Sequence, residues 1–152
     1  MNFDNLRQNI SQKLTISDEE FALFCTKIRV KNFKKKEILL NEGEVCRYAS
    51  FINKGAIRGF VVNDKFEEKT ILLGIEDWWA VDFYSYITGL PSQWTIETIE
   101  DTEFFQMTFA DLESIFDQAP KIERYIRLMA QNAFVASQTR LMQMMTNAAD
   151  KR

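Results

Sequence analysis

Between Lys27 and Gly74 apolar and polar residues alternate with a period of two, in runs of four to seven residues that each stop at a cluster of turn-forming residues. The runs are Arg29 to Phe33, Glu37 to Leu40, Tyr48 to Ile52, Ala56 to Val62 and Lys69 to Gly74. Between them lie Asn41-Glu42-Gly43-Glu44, Asn53-Lys54-Gly55 and Asn63-Asp64-Lys65, residue types that tolerate tight turns. Alternation at two predicts half-buried strands, and many short strands at near-regular spacing predict an antiparallel barrel or jelly roll rather than a parallel sheet. Two further runs, Trp94 to Ile99 and Thr102 to Phe109 about a Glu100-Asp101 turn, close the sheet.

Helical periodicity brackets the strands. Phe3, Leu6, Ile10 and Leu14 recur at three and four residues, and Ser17 with Glu20 three positions on is a capping box that opens a second helix through Phe21, Leu23 and Phe24. Asp111 to Asp117 reads as a short helix, and Pro120 starts a long one continuing to about Ala149. The expected fold class is therefore mainly β with flanking helices, a double-stranded β-helix or jelly-roll barrel. Residues 1–120 form the roll with its N-terminal helices, and residues 121–152 form a dimerisation helix. At 152 residues with 46% hydrophobic content, there is material for one sizeable core.

A small barrel cannot enclose some thirty residues of helix, yet this helix is apolar on more than one side. Ile122, Ile126, Met129, Ala133, Ala136, Leu141 and Met144 are the residues expected to pair with the same helix of a second copy, with Phe134 and Val135 on the flank.

Several chemistries are excluded or disfavoured. The chain has no histidine, which removes His-ligated metal and haem and the usual His-based nucleophilic catalysis. Its two cysteines, Cys25 and Cys46, have no metal-ligand spacing, so no metal site and no enzyme is expected. No apolar run is long enough to span a bilayer and the N-terminus lacks a signal-peptide pattern, so the chain reads as cytoplasmic. Net charge is −3, with 13 basic against 20 acidic groups before residue 121, which is not a nucleic-acid surface. Lys34-Lys35-Lys36 reads as a solvated loop.

Ligand chemistry is expected between Glu76 and Glu97, where the aromatic pair Trp78 and Trp79 and the acid Asp82 lie in an amphipathic helical stretch that returns through Thr88-Gly89-Leu90-Pro91-Ser92-Gln93. This tract, with the strand and turn Glu37 to Glu44 and the glycine hairpin Phe51 to Arg58, resembles the cyclic-nucleotide-binding domain of the CRP/FNR family of bacterial regulators. The resemblance covers essentially the whole chain and makes Val81-Asp82-Phe83 to Thr88-Gly89-Leu90-Pro91 a phosphate-binding cassette. It implies that a Gly-Glu pair takes the ribose and an Arg followed by Ser or Thr takes the phosphate. Here Val81-Asp82 and Ser92-Gln93 stand at those places, so the acid is kept and the arginine is lost.

The window has four acids and no Lys or Arg, so an incoming phosphate meets no local counter-charge unless Arg47 or Arg58 reaches in from a neighbouring strand. Trp94, where the family has a small residue, would fill space a ribose-phosphate needs. A cyclic nucleotide is therefore possible but disfavoured as cofactor. Trp78, Trp79, Phe83 and Tyr84 form either an aromatic pocket for another effector or core. Gln138 and Thr139 match the family's base-contacting positions, or are exposed helix residues. The resemblance implies an effector-sensing and dimerisation domain whose DNA-binding helix-turn-helix is absent from this chain. A stand-alone, ligand-free interaction module is the alternative.

Overall fold

The alternating runs pair as two antiparallel four-stranded sheets in the computed structural model, which describes residues 2–150. The strands are β1 (Arg29–Phe33), β2 (Ile38–Leu40), β3 (Tyr48–Lys54), β4 (Ile57–Val62), β5 (Glu68–Gly74), β6 (Trp79–Ala80), β7 (Thr95–Thr98) and β8 (Thr102–Thr108). One sheet runs β1-β8-β3-β6 and the other β2-β7-β4-β5, the two layers of a jelly roll. The helices are α1 (Asp4–Ser11), α2 (Asp18–Cys25), α3 (Phe83–Thr88), α4 (Phe109–Ile115) and α5 (Pro120–Asp150). Met1 and the last two positions of the expected 121–152 helix, Lys151 and Arg152, lie outside the described residues.

Register explains the core. In β3 and β8, Phe51 pairs with Phe105 and Ile52 with Phe104, so successive pairs point to opposite faces. Phe105 packs edge-on against Phe3 beside α1, and Phe51 against Trp79, whose ring leans on Tyr125 of α5. On the other face Ile52 meets Ile57 and Gly74 of the second sheet. Phe51, Ile52, Ile57, Ile96, Phe104 and Phe105 are almost wholly buried, each contributing about 1.5–3 kcal/mol of transfer free energy.

Ser17 caps α2 as expected, its Oγ accepting from the Glu20 backbone N–H at 3.1 Å, while the Glu20 carboxylate accepts from the Ser17 hydroxyl at 3.2 Å. The Glu20 carboxylate also accepts from the Lys121 N–H at 3.1 Å, placing a negative charge on the first turn of α5, where the helix dipole favours it. That contact fixes where α5 leaves the body. Ala119 just before the helix and Ile122 and Tyr125 in its first turns join the chain's own core, with Ile126 and Met129 half buried against it. Ile122 has no exposed surface, which corrects its placement on a free pairing face.

The tract from Glu76 onward differs from the helix expected there. Trp79 and Ala80 form a two-residue strand on the edge of the first sheet, paired with Phe51 and Ser50, and only then does α3 begin. Ile52 supplies the reason, since its backbone N–H donates to the Trp78 carbonyl and its carbonyl accepts from Asp77, drawing the segment onto β3.

Candidate functional site

Asp82 is the N-cap of α3, not a residue inside it: its Oδ1 accepts from the Ser85 N–H at 3.3 Å. Seven residues later Gly89 ends the six-residue helix with φ 75°, a left-handed conformation that Gly adopts without strain. The loop then returns through an isolated bridge between Pro91 and Val45, and the Ser92 N–H donates to the Glu44 carbonyl at 2.8 Å. These contacts carry the Ser92 hydroxyl to Asp82 Oδ2, to which it donates at 2.7 Å, with Ser92 only 2% exposed. The two positions that the resemblance assigns to ribose and phosphate are thus bonded to each other.

Trp94 occupies the adjacent space. Its ring lies against Gly59 of β4, where an added Cβ would fall 2.3 Å from Trp94 Cζ3 and 3.4 Å from Leu72. Only glycine leaves room for the indole there. A glycine inside a strand pattern signals close approach by another group, and that signal was present in Ile57-Arg58-Gly59-Phe60.

Arg58 does not reach in. Its Nε donates to Glu97 at 2.9 Å, one terminal nitrogen to Glu68 at 2.6 Å, and its guanidinium lies 4.1 Å above the Phe60 ring. The hydrogen bonds it donates to Glu68 and Glu97 hold its pKa above the usual arginine value. The expectation of Arg58 as a ligand residue is corrected: it is spent on two carboxylates.

The other expected residues disperse. Val81 is in the core, Phe83 packs edge-on against Tyr86, and Gln93 is exposed. Thr88 donates to the Tyr84 carbonyl at 2.6 Å and accepts from Leu90 N–H at 3.2 Å, shaping the loop. No aromatic pocket forms, because Trp78 and Tyr84 are about half exposed while Trp79 and Phe83 turn to different neighbours. Gln138 and Thr139 are exposed on α5 beside Met142 and Thr146, and Thr139 donates back to the Val135 carbonyl. Ala133 is half buried, and Ala136, Leu141 and Met144 are exposed on the same helix.

The sequence reading missed two features. A cavity of about 130 Å³ lies between the sheets behind this tract, walled by Cys46, Ser50, Ala80 and Gln106, too small for a nucleotide. The second is a hydrogen-bonded chain. Trp79 Nε1 donates to the Tyr125 hydroxyl at 2.9 Å, Tyr125 donates to Asn9 Oδ1, and Asn9 donates to the Asp77 carbonyl at 3.2 Å. It ties the strand leading into the cassette to α1 and α5. Among the described residues no helix is long and apolar enough to cross a membrane, and no cluster of three acids or cysteines could hold a metal.

Two antiparallel sheets, a capped short helix at their edge and a long terminal helix define a jelly roll of the cyclic-nucleotide-binding type, here with Asp82 and Ser92 hydrogen-bonded to each other. No family model matches the chain, and no curated protein matches its sequence. Solved structures do match. The catabolite activator protein of Thermus thermophilus aligns with TM-score 0.75 at 14% identity, over 90% of this chain and 63% of that one. A cyclic nucleotide-binding domain from Methylobacillus flagellatus aligns at 0.70 and 16% identity, over 98% and 81%. The c-di-GMP responsive global regulator CLP of Xanthomonas campestris aligns at 0.68 and 12%, over 88% and 63%. These neighbours are CRP/FNR-family regulators and cyclic-nucleotide-binding domains, and the fold is theirs. The chain spans about three fifths of the Thermus and Xanthomonas proteins.

Proposed function

We propose that this chain is the effector-sensing and dimerisation part of a CRP/FNR-like transcriptional regulator, a cytoplasmic and non-catalytic domain whose cassette no longer takes up a cyclic nucleotide. The observation that carries this reading is the buried Asp82–Ser92 hydrogen bond with the Trp94 ring seated on Gly59. Together they occupy the groups and the space that a ribose-phosphate would use. A nucleotide would have to break that bond, displace an indole and bury a phosphate beside a carboxylate, with Arg58 already paired. DNA contact belongs to a helix-turn-helix domain outside this chain, reached through α5, whose direction reports the state of the roll.

Calorimetric titration with cyclic AMP and cyclic GMP tests the cassette. The native chain gives no saturable heat at micromolar nucleotide, whereas a Ser92→Arg, Trp94→Ala double variant gains binding because it has both space and counter-charge. Micromolar binding by the native chain would overturn the reading.

A further inference from the structure

We propose that the effector of this domain, instead of entering the cassette, binds in the cavity between the two sheets, and that it is a small uncharged polar molecule of the primary-amide kind. The proposal rests on the sensor reading above and adds a site and a ligand class to it.

Two polar side chains, bonded to each other, line the cavity in an otherwise apolar barrel interior. Ser50 and Gln106 pair directly across β3 and β8 on the inward face, where the next pair along is Ile52 with Phe104. They are 1% and 4% exposed. Gln106 Nε2 donates to Ser50 Oγ at 3.0 Å, which uses one N–H and one lone pair. A glutamine amide offers two N–H donors and a two-lone-pair oxygen, and a serine hydroxyl adds its own donor. That bond leaves one N–H, the Gln106 carbonyl oxygen and the Ser50 proton unused where both side chains line the cavity, although among the described residues no fully buried side-chain nitrogen or oxygen is without a partner. Turning the amide over exchanges the roles and still leaves a donor and an acceptor unspent.

Size and charge narrow the ligand. About 130 Å³ holds roughly four water molecules, or one molecule of a few non-hydrogen atoms such as a carboxamide, and no nucleotide. An amide presents a donor to the Gln106 oxygen and an acceptor to the Ser50 hydroxyl. Glu44 and Arg47, one charge of each sign, stand at the exposed rim, so the lining does not select an ion.

The cavity is also wired to the parts that would report occupancy. Ala80, one of its walls, pairs with Ser50 and follows Trp79, whose indole bonds Tyr125 on α5. The Cys46 N–H, on the opposite wall, donates to Ser85 Oγ in α3 at 2.8 Å. A ligand pressing on Ala80 moves the strand that holds α5.

The test is an NMR titration of the native chain with acetamide up to the high millimolar range. The Gln106 side-chain NH2 signals and the Ala80 and Cys46 backbone amides shift with one common saturation curve, and Ser50→Ala raises the midpoint about two- to tenfold, as loss of one hydrogen bond does. Gln106→Leu, which fills the space and removes the amide, abolishes the saturable response at Ala80. Non-saturating shifts at Gln106, or a response that survives Gln106→Leu, would overturn the assignment. The native titration decides alone if a variant does not fold. Its failure leaves the sensor reading standing, whereas micromolar cyclic AMP shifting Asp82, Ser92 and Trp94 would remove that reading and leave an acetamide response intact.

Discussion

Both thiols of the chain sit against apolar surroundings, and burial pushes each up to about 11 from an ordinary 9.0. For Cys46, desolvation outweighs the hydrogen bonds offered by neighbouring backbone. A raised thiol pKa is a statement about stability. Below pH 9 both folded and unfolded states hold the proton and stability is level. Between pH 9 and 11 the unfolded thiol ionises first, so stability falls, and above 11 the loss is complete. Urea unfolding followed from pH 8 to 11 therefore declines less steeply in Cys46→Ala than in the native chain, and equal slopes would show that the buried thiol carries none of the effect. The same burial makes Cys46 a poor nucleophile at neutral pH. At this scale the sequence supplies residue types, the uncharged Ser92 and the bulk of Trp94 among them. Their partners could not be read from it, because Gly59 receives Trp94, and Glu97 receives Arg58, only once β4 pairs with β7 in one register. Nothing local to Arg58 announces carboxylates ten and thirty-nine residues away.

Elements with enough length to show a period were legible, and those without were not. The strands from Arg29 to Gly74 and the helix opening at Pro120 stand close to where alternation and capping place them. β6 has two residues, too few for any period, and its conformation is imposed by backbone bonds to Ile52. That short strand carries Trp79, hence the only hydrogen bond described between the cassette's lead-in and α5. Tyr125 is fully buried, and its hydroxyl both accepts from Trp79 and donates to Asn9. Tyr125→Phe keeps the ring against Trp79 but leaves an indole N–H and an amide oxygen without a partner. The expected cost is about 1–3 kcal/mol in urea unfolding, with faster amide exchange in the first turns of α5 and a shifted Trp79 emission. A variant that lost stability while α5 exchanged at its native rate would mean that the hydroxyl supports the core alone and does not orient the helix.

For the whole molecule, the alternation implied an antiparallel roll, while the order of strands in each sheet depends on contacts between residues far apart in the chain. What remains beyond the roll is α5. Its 31 residues span about 46 Å, and past Met129 it has little packing on its own chain. Phe134, Leu141 and Met145 recur at seven and four residues, and Val135 and Met142 flank them at seven, so a second apolar stripe runs along the side opposite Ile122, Ile126 and Met129. Phe134, Val135, Met142 and Met145 are each 60% exposed or more. A free helical extension with so much apolar surface is marginal in water, and a two-fold related copy of the same stripe covers it without leaving an unmatched patch. The proposed dimer then has its centre at Phe134, Val135, Leu141 and Met142 rather than at the residues nearest Pro120. Sedimentation should give a dimer at micromolar chain. Phe134→Lys combined with Leu141→Lys should give a monomer whose β-roll melts as before, since neither side chain touches the roll's core. A native chain that stays monomeric at several hundred micromolar, or a double variant that stays dimeric, would move the interface off α5. The exposed stripe would then call for a different partner.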